Sequence, residues 1–67
     1  MLLRKRLVRL HLADDQPSME GILVGKDADH YRLAAAKLLL ENPDRTLELQ
    51  GEAWVPRSRV LYLQVLG

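Results

Sequence analysis

Apolar and polar residues alternate with a period of two along most of this chain, as they do in strands that present one face to a core and the other to water. In the last third, Leu47, Leu49, Gly51, Ala53 and Val55 fall on one face, while Thr46, Glu48, Gln50, Glu52 and Trp54 fall on the other. Pro56 has no N–H to give to a strand ladder, so it ends that run. A Pro-Arg-Ser turn then leads directly into a further strand, Val60 to Val65. Near the start, Val8, Leu10 and Leu12 alternate with Arg9 and His11, predicting a first strand that stops at the polar loop Ala13 to Ser18. A second strand is predicted over Met19 to Gly25. Within it Gly21 marks a sharp bend or a place where another backbone comes close. Gly25 to Asp29 reads as a turn.

The segment His30 to Leu40 carries two patterns at once. Tyr31, Ala35, Leu38 and Leu39 sit at helical spacing, the run Ala34 to Leu40 has high helix propensity, and Asp27 or Asp29 is placed to cap a helix. Taken locally, these features favour a helix. The same residues also alternate, with Tyr31, Leu33, Ala35, Lys37 and Leu39 on one face, and Glu41 to Arg45 is good turn chemistry for a hairpin into the next strand. Tertiary context overrides propensity, and the whole pattern predicts a long strand.

A chain of 67 residues allows one domain, 1–67, with a single small core. At this size folding buries only about 60% of the surface exposed by the unfolded chain, so stability is marginal without help. There is no cysteine to form a disulfide, and His11 and His30 are the only imidazoles, a poor set for a structural metal. Burial of apolar surface between copies of the chain is the device that is left. The lack of cysteine fits a cytosolic protein or one inside a phage particle. Ten basic residues against nine acidic ones give no basic excess of the kind that marks a dedicated nucleic-acid binder. The balance is local: Arg4, Lys5, Arg6 and Arg9 crowd the start, followed by Asp14, Asp15 and Glu20. Charges interrupt the apolar run behind that cluster, so neither a signal peptide nor a membrane association is expected.

The order of these elements resembles the Sm-like family. Gly21, Leu23 and Asp27 match the spacing of the first family signature, and Val55, Pro56 and Val60 to Val65 are similar to the second. The resemblance covers residues 7 to 66. It implies a mainly β fold: a strongly bent, five-stranded small barrel of the Sm-like or SH3-like type. In that family the fourth and fifth strands pair across subunits to close a ring, often of six or seven copies. Leu47 to Val55 of one copy would then bond to Val60 to Val65 of the next. The segment from Tyr31 to Leu40, with the Val-Pro-x-x-Arg-Val that follows, also looks like short phage proteins of actinobacteria. In RNA-binding members of the Sm-like family an asparagine ten residues after the signature glycine contacts a base, and Tyr31 stands there in this chain. The arginine-glycine pair of the family turn is replaced by Pro56-Arg57, which separates this chain from the uridine-recognition pattern.

Four residues are candidates for nucleic-acid contact. Asp27 orients a neighbouring loop or simply bonds its own turn; Tyr31 stacks on a base or fills a strand end. Arg57 and Arg59 attract anions at a pore, or are solvated turn cations. The terminal cluster of Arg4, Lys5, Arg6 and Arg9 either engages phosphates or pairs with nearby acids. Trp54, Leu61, Tyr62 and Leu63 are the candidate interface residues, led by Trp54, a sole tryptophan on the polar face of its strand. No nucleophile, base and orienting group fall together, Asp27 with Asp29 would hold a cation only weakly, and no phosphate loop or cofactor motif occurs. The expected protein is therefore a non-catalytic assembly module without cofactor or metal, partnered by itself and by other proteins. RNA binding by a homo-oligomeric ring is the alternative, and a virion adaptor a further one.

Overall fold

The computed structural model describes residues 5–40 and 45–67. Six strands follow one another: β1 (Arg6–Leu12), β2 (Ser18–Lys26), β3 (His30–Leu39), β4 (Thr46–Glu48), β5 (Glu52–Pro56) and β6 (Val60–Val65), with one 3-10 turn, Arg57–Arg59, before β6. They form one antiparallel sheet in the order β4-β3-β2-β1-β6, and β5 also pairs with β3, above β4. The described residues contain no α-helix. The mainly β expectation holds in this form, with the run from Thr46 to Val55 split into β4 and β5. The sheet is not closed into a barrel by its own ladders, because β5 and β6 pair with β3 and β1 and not with each other. The proposed hairpin turn Glu41 to Arg45 lies outside the described residues except for Arg45, as does Arg4.

The alanine-rich segment is strand β3, so its helical spacing is overruled by pairing on both sides, with β2 on one edge and β4 and β5 on the other. Its alternation does not run through unbroken. Glu20 pairs with Lys37 and Ile22 with Ala34, so β3 carries one extra residue across from Gly21. Ala35 takes it up with a left-handed φ of 51°, a β-bulge that re-aims the strand. The single face expected for Tyr31, Leu33, Ala35, Lys37 and Leu39 therefore does not continue through the bulge: Leu33 and Ala36 are buried, and Ala35 is exposed. A compensating extra residue at Val24 in β2 restores the count before Gly25 meets Arg32. At Gly21 the β3 backbone lies close enough to crowd any side chain, as its position in the sequence indicated. A Cβ there would lie 3.0 Å from the Ala34 carbonyl oxygen and 3.1 Å from the Ala36 Cα.

The run from Leu47 to Val55 keeps its predicted inner face at Leu49, Ala53 and Val55, but Leu47 and Gly51 on that face are exposed, and the strand breaks at Leu49 to Gly51, where Gly51 has a φ of 75°. Leu49 still bonds β3 through its N–H to the Ala36 carbonyl, at 2.9 Å. Curling of the sheet brings Val8 and Leu10 of β1, Leu33 and Ala36 of β3 and Val55 of β5 into one buried cluster. Leu12, Met19, Leu23, Tyr31, Leu49, Ala53, Val60 and Leu63 pack around it at partial exposure. Among the described residues five buried apolar side chains make a small core, and further apolar side chains are left partly exposed at its rim.

Candidate functional site

Three of the four nucleic-acid candidates meet where the β2–β3 turn approaches the end of β5. Asp27 Oδ1 accepts the backbone N–H groups of Asp29 and His30, both at 2.8 Å. Those two bonds hold its carboxyl below the usual aspartate value, since each favours the charged form. Arg57 then ties the 3-10 turn to this loop. Its backbone N–H donates to the Asp29 carbonyl at 2.8 Å, and its guanidinium Nη1 donates to the Asp27 carbonyl at 2.9 Å. The same guanidinium lies 5.1 Å from the centroid of Tyr31, which is half-buried against the core. Asp27, Tyr31 and Arg57 are thus one contact group. Arg59 stands apart from them, 3.8 Å from Asp14, with its carbonyl accepting the Ala13 N–H at 2.9 Å.

The basic cluster at the start is divided. Arg9 donates to Glu20 at 2.8 Å, and Lys37 approaches the other oxygen of that carboxylate at 3.5 Å. These bonds, the one from Arg9 first, draw the Glu20 carboxyl below its ordinary value against the opposing effect of burial. Arg9 is therefore a structural ion-pair member, whereas Lys5, just before β1, and Arg6, its first residue, are exposed. Among the described residues no group of three or more His, Asp or Glu side chains is gathered in a way that could hold a metal, and no helix is long and apolar enough to cross a membrane.

Among the described residues, the large apolar side chains left in water are Leu7, Leu47, Trp54, Leu61, Tyr62, Val65 and Leu66. Leu47 and Trp54 belong to β4 and β5 at one end of the sheet. Leu61, Tyr62 and Val65 belong to β6 at the other, with Leu66 just beyond and bonded through its N–H to the Leu7 carbonyl at 2.8 Å. Trp54, 60% exposed, is braced in place: its indole N–H donates to Glu52 at 3.0 Å, the Arg32 guanidinium lies 5.8 Å from its ring and His30 tilts towards it at 6.1 Å. Tyr62 stacks on His11 with ring centroids 4.2 Å apart, and His11 Nε2 is 2.9 Å from Gln64 Oε1.

Of the four candidate interface residues, Trp54, Leu61 and Tyr62 are exposed, while Leu63 pairs with Leu10 and packs on its own core. Sequence reasoning left out Leu7, Leu47, Val65 and Leu66. The run Leu61-Tyr62-Leu63-Gln64-Val65-Leu66 places apolar residues on both faces of a strand, and that was the available signal. Arg32 was missed for lack of one, because nothing in its neighbours along the chain points to a tryptophan 22 positions away. No protein-family model, curated protein or solved structure matches the chain.

Proposed function

We propose that this chain is a non-catalytic interaction module, a small barrel of the Sm-like type that is completed by homo-oligomerisation and docks to other macromolecules. One observation carries the reading: the exposed large apolar side chains gather at the two open ends of a single sheet. An exposed strand edge is a row of unpaired N–H and C=O groups, and natural proteins blunt such edges with charge, proline or cover. Here β6 carries no charged residue at all, from Val60 to Val65. An apolar edge strand next to a core of five buried residues is what a protomer completed by a neighbour requires. The test is the mass in solution under native conditions. Several times the mass of one chain is expected, reduced by Trp54→Ala; a stable monomer at micromolar concentration defeats the reading.

RNA binding by such an assembly is the second reading, favoured by the contact group of Asp27, Tyr31 and Arg57. The exposed part of Tyr31 beside a cation would give a base something to stack on with a phosphate contact next to it, and repetition around an assembly axis would multiply both. It predicts salt-sensitive binding of short uridine- or adenine-rich oligomers, weakened by Arg57→Ala together with Tyr31→Ala. Fluorescence anisotropy that stays flat on titration removes it.

A further inference from the structure

We infer that Trp54, Arg32 and His30, on the outer face of the sheet where β3 meets β5, form a docking site for a short segment of another protein that sets one carboxylate on Arg32 and one large apolar side chain on the indole. The inference rests on the docking half of the reading above and not on its assembly half; it names the surface and the chemistry of the partner.

The strand ladder brings these residues together. Gly25 of β2 pairs with Arg32 of β3, and Arg32 pairs with Trp54 of β5, so the three make one row across the sheet. Leu33 and Val55, their neighbours along the strands, are buried in the core, which turns Arg32 and Trp54 outward. Gly25 leaves room for the guanidinium, since a Cβ at that position would fall on it. Two residues back on the same face, His30 tilts towards the indole at 6.1 Å. Two residues on, Ala34 pairs with Ile22, and both are partly buried, so an apolar floor continues beyond the row.

The charges around the row decide what the partner carries. Glu52 is engaged by the indole N–H, and Asp27 by the backbone N–H groups of Asp29 and His30, with Arg32 only the last of the influences that hold its carboxyl low. Among the described residues no carboxylate lies within ion-pair distance of Arg32. Arg57 is engaged by the Asp27 carbonyl and lies by Tyr31, on the core side of β3. Lys26 and Asp29 are exposed on either side of Asp27 and balance one another. Along the outer face Arg9, Glu20 and Lys37 close on themselves, Arg45 and Glu48 belong with the far end of β3, and β2 separates Lys5 and Arg6 from Arg32. What is left is one guanidinium beside one exposed indole. A single carboxylate with an apolar neighbour matches it, whereas a polyanion would set further phosphates against Glu52, Asp27 and Asp29.

The site is ordered before any partner arrives. Trp54 is 60% exposed, yet Glu52 holds its N–H at 3.0 Å and the Arg32 guanidinium lies 5.8 Å from its ring centre. Tryptophan and arginine are the residue types that most often carry binding energy, and side chains already fixed lose less entropy when they are covered. A neighbouring copy at the β5 edge would take up the backbone groups of that strand, while the indole and the guanidinium stand on the outer face, so the two contacts coexist.

Trp54 is the sole tryptophan, so its fluorescence reports on the site directly. The probes are capped hexapeptides that combine one aspartate or glutamate with one leucine or phenylalanine at every spacing, and the same peptides with lysine in place of the acid. Acidic members should shift the tryptophan emission to shorter wavelength and saturate, and their lysine counterparts should not. Arg32→Gln should weaken that binding by about tenfold or more, and Arg32→Lys by less, since it keeps the charge without the fork. Gly25→Ala is the second variant: it pushes the guanidinium aside with its charge intact and should weaken binding as well. Circular dichroism and native mass should be unchanged in the Arg32 variants. If no acidic peptide binds more tightly than its lysine counterpart, or if Arg32→Gln and Gly25→Ala bind as the unaltered chain does, the inference is overturned. An emission shift with a uridine-rich oligomer and none with the peptides assigns the site to nucleic acid and overturns it too. A native mass lowered by Arg32→Gln puts a second copy in the site, with the same result. A native mass of one chain, by contrast, defeats the assembly reading and leaves this docking site standing.

Discussion

Gly21 and Ala36 lie across the β2–β3 ladder at a distance that would crowd a side chain: a Cβ on Gly21 would stand 3.1 Å from the Ala36 Cα and 3.3 Å from its methyl group. The third neighbour, the Ala34 carbonyl oxygen at 3.0 Å, is backbone and cannot rotate away. Gly21→Ala is therefore expected to force the two strands apart next to the β3 bulge, at a cost of about 1–3 kcal/mol. Thermal unfolding at fixed protein concentration should show a midpoint lower by roughly 4–8 °C for each kcal/mol lost. Gly21→Val should be worse, and an unchanged midpoint for Gly21→Ala would contradict the geometry.

Gly21 was legible in the sequence, as were the strands β1, β2 and β6, because alternation and turn residues are local signals. The bulge at Ala35 was not. Alanine has no preference that marks a left-handed φ, and the extra residue is only defined by what pairs opposite it, Glu20 and Ile22. The same limit applies to Leu63. Its place in the alternation of β6 told which residues share its face, but which face is turned to the core depends on pairing with Leu10. The grouping of Asp27 with Arg57 depends likewise on the 3-10 turn folding back onto the β2–β3 loop, a contact across 30 positions. A turn aspartate could be read from local spacing; its distant partner could not.

Ala35 and Gly51 make an opposed pair of backbone tests. Both have left-handed φ, 51° and 75°, yet only one is a glycine. An L-residue there is strained by about 1–2 kcal/mol, partly offset in any replacement by the greater unfolded-chain entropy of glycine, about 0.5–1 kcal/mol. Ala35→Gly should accordingly raise stability by several tenths of a kcal/mol, up to about 1. Gly51→Ala should lower it by a similar amount although nothing lies within 4 Å of the new methyl group. Denaturant midpoints at constant slope read both effects. A stabilising Gly51→Ala would refute the backbone assignment between β4 and β5.

Acid sensitivity should trace in part to Glu20. Its carboxyl is held below the ordinary value of 4.5 by the hydrogen bond from Arg9, with Lys37 adding to the effect. A carboxylate depressed in the folded state contributes stability that is present in full above its unfolded pKa and disappears as the pH falls through its folded one. Stability should thus decline as the pH is lowered from 4.5 downward, and Glu20→Gln should flatten that part of the profile while leaving Arg9 and Lys37 without their shared acceptor. Arg9 and Lys37 are 35% and 40% exposed in their side chains, so solvent screens the pair and the loss at neutral pH should stay near about 1 kcal/mol. An identical acid limb in the variant would remove Glu20 from the account.

Leu61 and Leu63 separate assembly from folding within one strand. Leu63 packs on Leu10 and the core, whereas Leu61 is 69% exposed at the place where the β1–β6 register slips between His11 and Leu12. Truncation of a core leucine removes its apolar transfer energy and leaves a cavity, a loss of about 2–5 kcal/mol for a well-buried side chain and towards the low end for a partly buried one. Leu63→Ala should therefore unfold the protomer more easily at every concentration. Leu61→Asp should do something different. It places a charge on the outer edge of β6 without touching the core, so it should lower the native mass and make the unfolding midpoint independent of protein concentration, as expected once association no longer adds to stability. Native mass spectrometry and melts over a range of concentrations distinguish the two. If Leu61→Asp kept its full assembled mass, the β6 edge would not be an interface, whereas a low mass with Leu63→Ala alone would only report that an unfolding protomer cannot assemble.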